Sequence, residues 1–182
     1  MNMQTQADGF QAQVLSILKE LGIAEDLPKT RGLLPWLPPA ELTVAGYAPN
    51  GKEFLLTPAA CAAWHELRTA AAADGIELLM VSAYRSVEYQ AEIIRRKLER
   101  GQELDEILKV LAPPGYSEHH SGTAVDIGAP GCLPLDQRFE TIPAYRWLSA
   151  KANRFGFYLS FPRDNPFGYI YEPWHWRYCA SL

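Results

Sequence analysis

Two short stretches hold the side chains able to do chemistry, SEHHSGTAVDIG from Ser117 to Gly128 and YEPWHWRY from Tyr171 to Tyr178. Imidazoles at His119 and His175, with the carboxylate of Asp126, can hold one divalent metal ion and leave a fourth position for water. Glu172, three residues before His175, is a spare carboxylate placed to take a proton from that water. These are the components of a metal-dependent hydrolase. Two imidazoles and a carboxylate suit Zn2+. Iron(II) uses a similar set, but the added glutamate and the lack of any oxygenase context favour hydrolysis.

The positions around these residues bear on the choice. His119 and Asp126 are seven apart, and Gly122 between them lets the backbone turn so that a loop imidazole and a strand carboxylate converge. His120 is adjacent and remains open as the alternative ligand. Asp126 lies between Val125 and Ile127 in an apolar run, so its carboxylate needs a cationic partner, and a metal serves. His65, beside Trp64 on a helix, reads as an ordinary surface or core residue, and Glu118 as a solvated loop residue. Arg85 follows the apolar run Ile76–Tyr84, where its guanidinium fork can face a pocket and bind a terminal carboxylate or a developing oxyanion. A salt bridge to Glu88 or Glu92 is the competing use.

The elements that must position these groups are mixed. Phe10, Val14, Ile17, Leu18 and Leu21 recur at helical spacing, and Gly22 offers a stop. Pro28–Pro39 carries four prolines and reads as an irregular segment anchored on the core by Trp36. Thr57 and Pro58 open a helix that runs through Ala73 to Asp74-Gly75. Ile76–Tyr84 is predicted as a central strand, Glu88–Arg100 as a helix, Glu103–Leu111 as a shorter one, Thr123–Ile127 as a strand and Pro143–Phe155 as a helix ended by Gly156. Phe157–Ser160 and Ile170–Tyr178 are predicted as strands. Because Pro173 cannot donate to a ladder, the last strand proper should begin there, freeing Glu172 to reach the cavity of His175 while Trp174 and Trp176 face away and Arg177 shares its side. No βαβ rhythm appears, so the class is α+β: a mainly antiparallel sheet flanked by helices. Residues 1–56 form an N-terminal helix and Pro-rich extension packed on a core of residues 57–182, a single domain overall.

Composition is that of a globular protein, 48% hydrophobic and 21% charged over 182 residues. A net charge of −4 argues against electrostatic nucleic-acid binding. No run reaches the roughly 18 apolar residues of a membrane span. Cys61, Cys132 and Cys179 are scattered, with no CxxC pair, and read as incidental thiols. The N-terminus lacks the basic region and continuous apolar run of a secretory leader. The expected compartment is the cytoplasm if that terminus is native, and the periplasm or cell wall if a leader has been trimmed. Oligomeric state is not legible.

These strings resemble the VanY-type D-alanyl-D-alanine carboxypeptidases, zinc peptidases of bacterial cell-wall metabolism. The family's Ser-x-His-x-x-Gly-x-Ala-x-Asp pattern falls on Ser117, His119, Gly122, Ala124 and Asp126, and its Glu-x-Trp-His on Glu172, Trp174 and His175. A third segment, SAYRSVEYQ from Ser82 to Gln90, is similar to the family's Ser-Gly-Tyr-Arg-Ser stretch, with Ala83 in place of glycine. The resemblance spans roughly residues 60 to 180. It implies a hedgehog/DD-peptidase-like fold, Zn2+ on His119, Asp126 and His175, Glu172 as base, and Arg85, Gln90 and Ser117 on the substrate or the oxyanion. The implied activity is release of a C-terminal D-amino acid from peptidoglycan stem peptides or muropeptides. L,D-carboxypeptidase, D,D-dipeptidase and endopeptidase activities use the same metal set. Two readings of other classes compete. A non-catalytic zinc-containing binding module would need neither Glu172 nor Arg85. Serine chemistry at the SxxK match Ser16–Lys19 lacks any SDN or KTG partner.

Overall fold

A computed structural model describes residues 3–180. Its first helix, α1 (Met3–Glu20), buries Val14 and Leu18 and ends at Gly22, whose φ of 72° lets the Ile23 N–H reach back to the Leu18 carbonyl at 2.9 Å. Glycine supplies that left-handed stop without steric cost. After α2 (Leu27–Thr30) the chain runs irregularly to β1 (Thr43–Tyr47), with the half-buried Trp36 pinned by its backbone N–H to the Gly115 carbonyl at 2.8 Å.

The strand β1 pairs antiparallel with β2 (Glu53–Leu56), a hairpin that the sequence reading did not anticipate. A register shift between Val44 and Gly46 breaks the period-two alternation that would have announced it. Helix α3 (Pro58–Ala73) starts as expected, with the Thr57 hydroxyl accepting from the Ala60 N–H at 3.4 Å.

Next come β3 (Leu79–Ser82), α4 (Val87–Glu99), α5 (Leu104–Ile107), β4 (Ala124–Gly128), α6 (Pro143–Lys151), β5 (Phe157–Leu159) and β6 (His175–Tyr178). The last four strands form one antiparallel sheet in the order β3-β4-β6-β5. Two expectations are corrected. The run predicted as a central strand is only Leu79–Ser82 and lies at the sheet edge, while the interior positions go to β4 and β6. The strand expected from Ile170 begins only at His175, because Glu172–His175 is a turn closed by the His175 N–H to the Glu172 carbonyl at 3.1 Å, with Pro173 inside it.

Two apolar clusters hold these parts. Val125 and Ile127 of β4, Trp176 of β6 and Phe157 of β5 pack with Trp64 and Leu67 of α3 and Leu148 of α6. Val14 and Leu18 of α1 pack separately on Val87, Ala91 and Ile94 of α4 and Ile107 of α5. Strand alternation then turns Asp126, His175 and Arg177 to the other face of the sheet. Cys61, Cys132 and Cys179 are free thiols. Among the described residues no helix is long and apolar enough to cross a membrane.

Candidate metal centre

Asp126 and His175 are register partners across β4 and β6, so their side chains rise from the same face side by side. His119 comes from a 3-10 turn, Glu118–Ser121, and Gly122 at φ 67° swings the chain from that turn toward β4. A Cβ on Gly122 would lie 2.9 Å from Leu42 Cδ2 and 3.2 Å from Pro39 Cγ, so both conformation and space require glycine there. Glu172 is delivered by the Glu172–His175 turn, and Trp174 and Trp176 point into the core as expected.

One ligand atom each from His119, Asp126 and His175 lies within 4.8 Å of the others, all three residues being buried. Asp126 Oδ2 is 3.3 Å from His119 Nε2, and Asp126 Oδ1 is 3.1 Å from His175 Nδ1. Tetrahedral ligand atoms with metal bonds of about 2.0–2.1 Å sit roughly 3.3 Å apart. The far nitrogen of each ring is committed elsewhere, which assigns the tautomers. His119 Nδ1–H donates to the Ala83 carbonyl at 2.7 Å, and His175 Nε2–H donates to Glu118 Oε2 at 2.9 Å. His119 Nε2 is left buried without a hydrogen-bond partner among the described residues, its lone pair facing a carboxylate oxygen. The unpartnered His119 Nε2, the Nδ1 edge of His175 and the Asp126 carboxylate converge in a buried place, and these residues fit a zinc-type ion.

The electrostatics agree. Burial, reinforced by the Arg85 cation, lowers His119 to about 4. Burial works against ionisation of Asp126, yet His119 and His175 hold its carboxyl well below the usual carboxylate range. Burial also opposes charge on His175, but hydrogen bonds to Asp126 and Glu118 push it up to about 10. A proton and a metal ion therefore compete for the same ring. Burial raises Glu172 to about 7, partly offset by His175.

His120, the alternative ligand, is excluded by its bonds. Its Nδ1–H donates to the Arg85 carbonyl at 2.6 Å and its Nε2 accepts from the Gly115 N–H at 3.1 Å, so it braces the backbone on both sides. Arg85 does not pair with Glu88 or Glu92. Its Nη1 donates to Gln90 Oε1 at 3.0 Å and its Nη2 lies 3.9 Å from Asp126 Oδ2. Gln90 is 0% exposed and spends its amide on the Ala112 carbonyl at 2.8 Å, which makes it a brace for Arg85. Ser117 is buried beside them. Ser16 and Lys19 are exposed on α1, and His65 is exposed on α3.

A cavity of about 30 Å³ lies among Arg85, Gln90, Ser117, His119, Tyr169 and Glu172. It adjoins a groove of about 480 Å³ that shares Arg85, Val110, Leu111 and Glu172 with it. Two residues here escaped the sequence reading. The Tyr169 hydroxyl is buried with no partner among the described residues. Glu118, expected to be solvated, has a side chain only 14% exposed and bridges His175 and Arg177. No spacing rule marks either one, since their partners are distant in sequence or absent.

Comparisons with known proteins lead to the same place. A D-alanyl-D-alanine carboxypeptidase of Enterococcus faecalis is 37% identical over 123 residues, covering 62% of this chain and 44% of that protein. The chain thus spans under half the length of that curated relative. The LdcB LD-carboxypeptidase structure superposes with a TM-score of 0.69 at 28% identity, over 78% of this chain and 69% of that one. A mutant of the D,D-pentapeptidase VanY from a VanB-type resistance cassette, solved with Zn(II), gives a TM-score of 0.61 at 32% identity over 79% and 82% of the two chains. The fold is therefore the DD-peptidase type that the resemblance implied. Residues 53–181, over two thirds of the chain and every residue of the metal cluster, match the family described as VanY, D-alanyl-D-alanine carboxypeptidase, and the chain belongs to that family.

Proposed function

We propose that this protein is a zinc carboxypeptidase that removes a C-terminal D-amino acid from peptidoglycan stem peptides or muropeptides. The observation that carries this reading is the small cavity where Glu172, Arg85 and the unpartnered His119 Nε2 meet at the edge of a larger groove. A small cavity that opens onto a groove gives the attacking water a place beside the terminal bond of a peptide lying in the groove.

His119, Asp126 and His175 would hold zinc, which when bound supplies Lewis-acid polarisation and acidifies water. Glu172, raised to about 7 by burial, takes the proton of the attacking water and passes it to the leaving amine. Arg85, held by Gln90, offers an unpartnered buried Nε. Its guanidinium can bind the substrate's terminal carboxylate or the oxyanion formed on attack, with Ser117 and Tyr169 alongside. Residues 1–56 serve as an extension packed on the 57–182 core, as the burial of α1 against α4 supports.

The test is mass spectrometry of defined stem tripeptides, tetrapeptides and pentapeptides after incubation with zinc-loaded protein. Loss of a single D-alanine from the pentapeptide is expected. Loss from the tetrapeptide alone would make it an L,D-enzyme, and no cleavage of any would refute the proposal in favour of a binding module.

A further inference from the structure

We infer that Glu118 is a positioning residue of the metal centre, through which the segment ahead of the family-matched region reaches that centre; this rests on the zinc reading above. A continuous chain of contacts carries it. The Arg177 guanidinium lies 5.2 Å from the centre of the Trp36 ring. Arg177 Nε sits 2.9 Å from Glu118 Oε1, and Glu118 Oε2 accepts from His175 Nε2 at 2.9 Å. The Phe161 ring, 4.7 Å from the His175 ring and tilted 31° to it, restrains the imidazole plane on one side. Trp36 precedes the matched residues 53–181, whereas the other members lie within them.

An imidazole has two nitrogens, and only the one without a proton can ligate a metal. The Glu118 carboxylate holds the proton on Nε2, so the nitrogen left to ligate a metal is Nδ1, which faces Asp126, the arrangement metal binding needs. It also raises the basicity of the ring. Arg177 compensates the charge of Glu118, whose side chain is largely withdrawn from water. Trp36 shields that pair, so removing its ring lets water compete for Arg177 and loosens Glu118. A carboxylate that merely tied the loop to β6 would contribute to stability and leave metal affinity alone.

The experiment is chelator competition for Zn2+ with wild type, Glu118→Gln, Glu118→Ala and Trp36→Ala, read together with the ring ¹⁵N signals of His175. Circular dichroism and the urea midpoint of each metal-free protein report whether it folds. Glu118→Ala is expected to weaken zinc binding about 10- to 100-fold and to lose the Nε2–H signature of His175. Glu118→Gln, which keeps an acceptor without the charge, falls between, and Trp36→Ala weakens binding several-fold. A folded Glu118→Ala protein that binds zinc within twofold of wild type overturns the inference, and an unchanged Trp36→Ala protein removes the link to the N-terminal segment. If instead no stem peptide were cleaved while these affinities moved as stated, the proposed activity would fail and the positioning role would stand.

Discussion

Replacing Glu172 by Gln tests the chemistry and the physics of the site together. Glu172 is 7% exposed and lies outside the ligand cluster, so the variant should keep one zinc per chain. A positioned general base is worth about 10²- to 10⁴-fold in rate, or roughly 3–5 kcal/mol of barrier, and kcat should fall by that factor. Stability should move the other way. Burial raises the folded carboxyl to about 7 against an ordinary value of 4.5, so between those limits the folded chain binds a proton that the unfolded chain has released. Stability of the metal-free wild type therefore falls as pH rises through that window, by roughly 3 kcal/mol once both limits are passed. A glutamine has no charge to desolvate. Metal-free Glu172→Gln should match wild type in urea midpoint near pH 4.5 and exceed it at pH 8. In the zinc-loaded enzyme a neighbouring dication lowers the Glu172 value, so the rate should rise with pH along a limb at or below about 7 that the variant lacks. A variant hydrolysing stem pentapeptide at the wild-type rate would refute the base, and one less stable than wild type at pH 8 would refute the burial argument.

Three other outcomes follow from the same geometry. Gly122→Ala places a Cβ at φ 67° and 2.9 Å from Leu42 Cδ2; left-handed strain of about 1–2 kcal/mol should appear in urea unfolding, and a loss under about 0.5 kcal/mol would contradict it. Tyr169→Phe removes a buried hydroxyl that has no protein partner; kcat/KM on the pentapeptide should drop roughly ten- to a hundredfold with no loss of thermal stability, whereas unchanged kinetics would leave the hydroxyl idle. Chelation should lower the melting temperature, since zinc at a hundredfold above its Kd stabilises the folded state by roughly 2.7 kcal/mol; coincident melting curves with and without chelator would argue against a built site.

Much of the site was legible because its chemistry is written locally. The alternation of Val125, Asp126 and Ile127 placed two apolar residues in the core and one carboxylate opposite, and the structure has them so. Pro173 announced a break before His175, although the break is a full turn and the strand is shorter than expected. Thr57, Pro58 and Gly22 marked helix ends through backbone chemistry that depends on neighbours alone. The hairpin of β1 and β2 is not legible, since its bulge hides the alternation, and the run from Ile76 reads as central because apolarity reports burial and not position within a sheet.

The amino-acid order by itself determined which donors exist, the turn that separates His119 from Asp126, and the spare carboxylate three residues ahead of His175. Tertiary structure decided which of two adjacent imidazoles faces Asp126, that Asp126 stands opposite His175, and that Glu118 faces the far nitrogen of that ring. The reason is physical: a residue's type fixes what it can donate or accept, but lone pairs acquire a direction only when partners up to 57 residues away close the other end of each ring.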